Sequence, residues 1–341
     1  MLCHVDDGLL TMIVQPRFNV LLTSVGRRVS LVRFFKESLG SRGYVFAADC
    51  DSTAPGLYFA DRGFLLPKVT DRNYVPVLME RCKELGIKLV VPLIDPELPV
   101  LAKAKDLFIQ EGIIPLVSDY EVVMITYDKL QTAKFFDEYR IPAPRVFSLE
   151  DSGSLPEDSF PLIIKPRFGS ASVGVQRCDT WEDVRFYSKK VNQPILQEFL
   201  EGEEVTIDVL CDFEGRILST AQRKRLKVRA GEVERGITIK DELLFYFTSL
   251  IVEALRPFGA INIQCFLTPK GPFFTEINPR FGGGYPLSYY AGANFPRLIV
   301  KMLEGDLKGK GLEGFSAEYR ENLVMLRYDE AVYIDKSELL D

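Results

Sequence analysis

Histidine is almost absent from this chain: one residue in 341, His4, close to the start. Ser–His or Cys–His nucleophilic catalysis, and a metal held by imidazoles, are therefore nearly excluded. Tryptophan also occurs once. The six cysteines, at positions 3, 50, 82, 178, 211 and 265, form no C-x-x-C pair. They are expected to be reduced, mostly buried thiols of a cytoplasmic protein rather than a disulfide framework or a zinc site. No apolar run reaches the roughly 18 residues of a membrane span. Basic excess is missing too: 42 Lys and Arg against 48 Asp and Glu leave a formal net charge of −6. That balance argues against a nucleic-acid partner, which would call for a basic surface. Any chemistry falls to carboxylates, amides, lysines, arginines and bound ions.

The chain holds 47% hydrophobic and 26% charged residues, the proportions of a globular protein with a sizeable core. Its length suits two or three domains. Residues 1–16 lack the basic start and long apolar core of a signal peptide and are expected to form a flexible extension.

From Phe18 strand-like and helix-like segments alternate. FNVLLTS (18–24), YVFAA (44–48), KLVVPLI (88–94) and 114–117 read as strands. Helical patterns follow Arg28, cover 74–85 and cover 97–110. This alternation implies a parallel sheet with helices on its faces. Ligands bind beyond the carboxyl ends of such strands, where this chain carries Arg27, Arg28, Asp49, Asp95 and Glu97. The two arginines suit a carboxylate or phosphate, or simply a solvated helix start. G-R-R-V-S lacks the later glycines of a dinucleotide fingerprint, so an NAD-binding dehydrogenase is disfavoured.

A second region begins near Tyr127. Asp128 can cap a helix over 129–139. PLIIK (161–165) is a strand ending on Lys165, and a small-residue loop, 167–175, follows with Gly169, Ser170 and Gly174. Such a loop is often an ordinary turn, but its N–H groups can also approach phosphate oxygens. PILQEFL (194–200) and VTIDVL (205–210) are further strands, and 217–223 another. The basic stretch 223–235 reads as a loop, solvated or placed over a polyphosphate; Arg223, Arg225 and Arg229 are its candidate anion contacts. A long helix pattern, 240–257, precedes two apolar runs around TPKGP, an antiparallel hairpin. Glu276 and Asn278 share a face of its second strand, and Gln264 joins them if the register is the simple one. Such residues are commonly just a solvated face; three converging oxygen donors also suit a hard cation such as Mg²⁺. Arg280 follows, placed to meet an anion held there, and after it Gly282-Gly283-Gly284 turns into a helix expected to reach Leu303.

In this order, Asp128-Lys129, Ile164-Lys165-Pro166, Gln197-Glu198-Phe199-Leu200-Glu201-Gly202-x-Glu204, Asn262-x-Gln264 and Glu276-x-Asn278-Pro279-Arg280 resemble the ATP-grasp superfamily. The likeness is to the ATP-binding half-modules of carbamoyl-phosphate synthase large subunits and their single-module relatives, over residues 18–330. It implies an α/β, Rossmann-like (pre-ATP-grasp) domain over 17–120, then a two-subdomain α+β ATP-grasp fold. The small subdomain, with the phosphate loop, is expected at 121–192 and the C-terminal subdomain, with the metal site, at 193–341.

The resemblance also implies roles. Lys129 and Lys165 would contact ATP phosphates, and loop 167–175, with Gly169, Ser170 and Gly174, would close over them. Glu198, Phe199 and Leu200 would hold adenine and Glu204 the ribose. Gln264, Glu276 and Asn278 would ligate Mg²⁺, two ions being expected and Mn²⁺ an acceptable substitute. Arg280, Lys165 and Arg225 would assist phosphoryl transfer. Arg27, Arg28, Asp49, Asp95, Glu97 and Arg229 would face the substrate. The implied reaction joins a small carboxylate, activated as an acyl phosphate, to an amine or similar nucleophile. An ATP-binding regulator without turnover is the alternative. A homodimer is possible; neither nucleic acid nor membrane is an expected partner.

Overall fold

The computed structural model describes residues 18–150, 155, 159–169, 173–229, 231–305 and 318–340. The expected extension at 1–16 and the site candidate Ser170 lie outside the described residues.

The N-terminal part runs β1 (Asn19–Thr23), α1 (Val29–Leu39), β2 (Val45–Asp49), β3 (Arg62–Leu65), α2 (Tyr74–Glu84), β4 (Ile87–Pro92), α3 (Glu97–Gln110) and β5 (Ile114–Pro115). These strands form one parallel sheet in the order β3-β2-β1-β4-β5. Its central strands, such as Val20–Leu22 and Leu89–Val91, are buried on both faces, as a helix-covered sheet requires. The strand order reverses between β1 and β4. A crevice therefore opens at their carboxyl ends, between Ser24–Arg28 and Leu93–Asp95.

Next come α4 (Tyr120–Tyr127), α5 (Lys129–Glu138), β6 (Val146–Ser148), β7 (Leu162–Pro166), β8 (Gln176–Cys178), α6 (Trp181–Tyr187) and β9 (Pro194–Glu198). Asp128 does cap α5, accepting from the Leu130 amide at 3.0 Å. The four strands pair antiparallel as β6-β9-β7-β8. β9 thus belongs to this sheet, although the sequence boundary at 192 assigns it to the next subdomain.

The last part contains β10 (Glu203–Cys211), β11 (Ile217–Arg229), β12 (Glu232–Ile239), α7 (Glu242–Leu255), β13 (Gly259–Thr268), β14 (Gly271–Asn278), α8 (Tyr285–Ala291), α9 (Phe295–Leu303) and β15 (Val324–Leu326). The sheet order is β14-β13-β10-β11-β12-β15, antiparallel throughout. Two expectations are corrected. The basic stretch 223–235 is not a loop but the ladder of the β11–β12 hairpin, because alternate residues such as Val233 turn inward while the arginines face out or into a cleft. The helix expected from 285 to 303 is two helices, parted at Gly292, whose φ of +120° favours glycine.

One apolar cluster joins the first and last parts. Phe34 of α1 stacks on Tyr289 of α8, their ring centroids 3.6 Å apart, within a cluster that also holds Phe281, Tyr285 and Phe295. The crevice of the N-terminal sheet is thereby held against the end of β14.

Candidate active site

One face of the six-stranded sheet carries the polar residues. β10 sits between β11 and β13, and pairing puts Arg223 beside Thr206, Thr206 beside Gln264 and Gln264 beside Glu276. A second row runs Asp208, Asn262, Asn278. The alternate residues Ile207, Ile261, Ile263 and Ile277 enter the core with α7, which fixes the polar set on the opposite face.

A cavity of about 490 Å³ lies between this face and the four-stranded sheet. Lys165 and Gly169 line it from one side, and Phe199, Leu200 and Glu201 from the strand end that joins the sheets. Glu204, Gln264 and Glu276 line it from the other. Lys165 is 8% exposed, and its ammonium donates to Gln197 Oε1 at 2.5 Å. Burial lowers its pKa to about 8, against the pull of the Glu276 carboxylate and with help from the Lys129 charge. Lys129 sits in the first turn of α5 and donates to the Gly169 carbonyl at 2.7 Å; its Nζ lies 3.8 Å from Glu276 Oε1. The start of the glycine loop is anchored to the same helix. Arg167 forks onto Asp128, with Nε at 2.7 Å from Oδ1 and an NH2 at 2.5 Å from Oδ2. Gly169 and Gly174 both adopt positive φ, +125° and +76°, which a side chain would strain.

A second cavity, about 220 Å³, adjoins the first and shares Arg225, Gln264 and Glu276 with it. Arg28, Arg223 and Arg280 bring three further guanidinium groups to it, and Asp95 and Glu232 bring carboxylates. Arg280 donates to Asp95 Oδ2 at 2.6 Å across the junction of the N-terminal and C-terminal parts. Arg225 donates to Thr206 Oγ1 at 3.2 Å and to Glu204 at 3.1 Å. Arg223 is 2% exposed and forks onto Asp208 at 2.8 and 3.3 Å. Among the described residues its NH1 has no hydrogen-bond partner, and the turn at 282–284 presses on it. A Cβ on Gly284 would stand 2.3 Å from that nitrogen, so any side chain there would force the guanidinium to shift.

Of the residues expected at the site, Arg28 and Asp95 reach the second cavity because they follow β1 and β4, the strands flanking the topological switch. Asp49 ends β2, outside that crevice. Its carboxylate accepts from the Gly26 amide at 2.8 Å and the Asp51 amide at 3.1 Å, fixing the β1–α1 turn. Glu97 is fully buried, accepts from the Tyr74 hydroxyl and has its pKa raised by burial; it ties α2 to α3. Arg27 is largely exposed and pairs with Glu232 at 3.4 Å. Arg229 leaves the site altogether, pairing at the surface with Asp329. The Glu198 side chain turns to Arg145, 3.5 Å away, while its neighbours Gln197, Phe199 and Leu200 line the cavity. No role is expected from the sequence for Gln197, Glu232 or Asp208; in the antiparallel ladders Gln197 shares a side with Lys165 and Asp208 with Arg223, pairings that sequence spacing alone does not reveal.

The donors expected to hold a metal fit a hard cation. Glu276 offers a carboxylate to the cavity; among the described residues the Gln264 side chain opposite makes no hydrogen bond, and Asn278 Oδ1 has one long contact, 3.5 Å to Arg280. All are oxygen donors from one sheet face, as Mg²⁺ prefers. Among the described residues no cluster of three His, Cys, Asp or Glu stands ready for a metal. Any ion here would rest on a single carboxylate, two amides and its ligand's own oxygens. Four of the five described cysteines are buried, and no described helix is long and apolar enough to cross a membrane.

Two family models match. The model described as PylC-like, N-terminal domain covers residues 20–116, and that described as ATP-grasp in the biosynthetic pathway with Ter operon covers 190–321. The carbamoyl-phosphate synthase of Methanobrevibacter smithii is 30% identical over 167 residues, 48% of this chain and 44% of that protein. A D-alanine–D-alanine ligase of Corynebacterium efficiens is 27% identical over 214 residues, 52% of this chain and 58% of that protein. The chain thus spans about half the length of these curated relatives. Among solved structures, the biotin carboxylase domain of Hydrogenobacter thermophilus 2-oxoglutarate carboxylase, in complex with MgADP, ADP and bicarbonate, superposes with a TM-score of 0.72 at 18% identity, covering 91% of this chain and 74% of that one. An L-amino acid ligase from Bacillus licheniformis gives 0.69 at 21%, covering 90% and 78%.

Proposed function

We propose that this chain, which belongs to the ATP-grasp superfamily, is an ATP-dependent ligase that activates a small carboxylate as an acyl phosphate and joins it to an amine. One observation carries the reading: a nucleotide-sized cavity and a smaller arginine-lined cavity share the wall formed by Arg225, Gln264 and Glu276. A terminal phosphoryl group in the first and a carboxylate in the second would meet at that wall.

A carboxylate does not condense with an amine in water, because oxide is a poor leaving group. In the proposed first step a carboxylate oxygen attacks the γ-phosphorus, the bond to the β–γ bridging oxygen breaks, and ADP leaves. In the second the amine attacks the acyl carbon, phosphate leaves with the C–O electron pair, and the nitrogen loses a proton. Both steps depend on positioning and on neutralising oxygens. Lys165 and Lys129 are assigned to the phosphates, and Arg280 and Arg225 to the oxygens shared by the two reactants. Gln264, Glu276 and Asn278 would hold Mg²⁺, or Mn²⁺ in its place, with a second ion bound more weakly since one carboxylate serves both. When bound, the ion would draw charge from the phosphate oxygens. Phe199, Leu200 and the backbone beside Glu198 are assigned to adenine and Glu204 to ribose. The similarity to ligases and to an MgADP-bound domain supports these assignments. We further propose a cytoplasmic protein, possible as a homodimer, with its small ATP-grasp subdomain extending through β9 to about 200.

The test is ADP release from ATP over a panel of acids and amines. Acid-dependent ADP formation that Glu276→Ala removes, with the melting temperature kept, is the expected result. ATP binding without ADP formation for any pair would instead favour the regulator.

A further inference from the structure

The arginine-lined cavity has one cation too many for a simple acid. Arg280 pairs with Asp95, Arg223 with Asp208 and Arg225 with Glu204. Glu232 is taken by Arg327 at 2.9 Å and by Arg27 at 3.4 Å. Arg28 remains. Among the described residues no carboxylate lies within 4 Å of its guanidinium and no side-chain hydrogen bond is made by it. It is nevertheless pressed close to the chain, since a Cβ on Gly283 would stand 3.3 Å from its NH1. Burial, and then the like charge of Arg280, lower its pKa to about 10, while Glu232 and Asp95 act from farther off in the opposite direction. Arg327 also repels it. The neighbouring Arg223 contributes an NH1 that is buried without a partner. An unpaired guanidinium held among other cations is a site for an anion.

We propose that the acid substrate carries a second anionic group, a carboxylate or a phosphate, which Arg28 receives at the N-terminal end of the cavity while the reacting carboxylate lies at the Gln264–Glu276 wall. This rests on the ligase reading for the identity of the reacting end, and it names the substrate class that the reading leaves open. The cavity volume of about 220 Å³ suits a small metabolite. Arg28 comes from the α1 entry and the other wall from the six-stranded sheet, so a substrate with anions at both ends would also bridge the two parts.

The experiment uses the full chain with Mg²⁺ and a non-hydrolysable ATP analogue. Binding is measured by calorimetry and thermal shift for succinate, glutarate and 3-phosphoglycerate, and for the one-anion probes butyrate and valerate. At least one two-anion probe is expected to bind roughly tenfold or more tightly than its one-anion counterpart, the worth of a charged hydrogen bond. The dicarboxylates and the phosphate ester distinguish the two kinds of second anion. Arg28→Gln should erase that preference, weakening two-anion binding by roughly tenfold, and keep the ligand-free melting temperature; Arg28→Lys should restore part of it. Equal binding of one- and two-anion probes, no binding by any of them, or a preference that survives Arg28→Gln would overturn the proposal. ADP release is read separately. Turnover of butyrate alone would sink the second-anion site and leave the ligase intact. Arg28-dependent binding without ADP formation for any amine would do the reverse.

Discussion

Gln264 stands directly opposite Glu276 in the β13–β14 ladder, and the register slips by one residue immediately afterwards, where Cys265 pairs with Phe274. Thr275 is the extra residue of this bulge, and its hydroxyl donates to the Gln264 carbonyl at 3.3 Å. Carried straight from the turn, where Leu267 pairs with Pro272, the ladder would set Gln264 against Thr275 and send Glu276 to the opposite face. The bulge brings amide and carboxylate to one side, the use of bulges beside sites elsewhere. The pair makes a prediction about metal dependence. Gln264→Glu should lower the Mg²⁺ concentration for half-maximal ADP formation by roughly tenfold, since ligand charge count sets affinity for hard cations. Glu276→Ala should raise it beyond reach of saturation. A Mg²⁺ titration that Gln264→Glu leaves in place would remove this pair from the proposed metal site.

Arg223 and Gly284 form a mutual constraint. The guanidinium is buried against Asp208, whose Oδ2 also accepts from Ser288 at 2.6 Å, and the glycine backbone closes over it. Arg223→Ala leaves the Asp208 carboxylate buried without its cation and should cost about 3–5 kcal/mol in urea unfolding. Gly284→Ala forces a Cβ onto NH1 and should cost about 1–3 kcal/mol. A loss below roughly 0.5 kcal/mol, the scale of a neutral surface change, for either variant would mean that the turn yields freely.

The strands and most helices were legible because their apolar period is set by a single buried face, as in α3, whose bounds of 97 and 110 match the expectation. β3 escaped because Arg62-Gly63-Phe64-Leu65 is short and carries a charge and a glycine. The geometry of the candidate site was legible where one strand supplies both residues, as with Glu276 and Asn278. It was not where partners come from separate strands. Lys165 and Gln197 meet diagonally between antiparallel β7 and β9, and nothing in their spacing of 32 residues announces it. Arg229 and Arg223 lie on one strand and looked alike in a basic stretch. The β11–β12 hairpin carries the former out to Asp329 and the latter into the sheet interior. For Asp49 strand order decided, since only β1 and β4 flank the switch point. Glu97 does follow β4, but it opens α3 and is buried against the Tyr74 hydroxyl of α2.

The Asp95–Arg280 pair joins distant parts of the chain, 185 positions apart, at a place where both side chains are about nine-tenths buried. Its coupling should be large: a double-mutant cycle over Asp95→Ala and Arg280→Ala is expected to give about 2–3 kcal/mol. The Arg229–Asp329 pair has nearly the same separation of charged atoms but is solvated, and the same cycle there should show no measurable coupling. Equal couplings at the two sites would mean that burial does not set the strength of the inner pair.

Lys165 provides a pH test whose sign follows from its surroundings. With its pKa lowered to about 8 in the ligand-free protein, it is charged below that pH and neutral above it. A bound polyphosphate favours the ammonium and raises the pKa, so binding takes up a proton whenever the free protein has lost it. ATP affinity should therefore be level in this respect below pH 8. Above it the dissociation constant should rise by up to about tenfold per pH unit until the pKa of the bound state is reached. Stability without ligand should move oppositely. Because the unfolded lysine keeps its proton up to about 10.4, the unfolded state binds more protons between roughly pH 8 and that value, and this group's contribution to stability rises over the window. Lys165→Met should flatten both profiles, weaken ATP binding below pH 8 and leave the fold in place. Dissociation constants for wild type and variant that keep a constant ratio from pH 7 to 9.5 would show that this ammonium does not titrate against the phosphates.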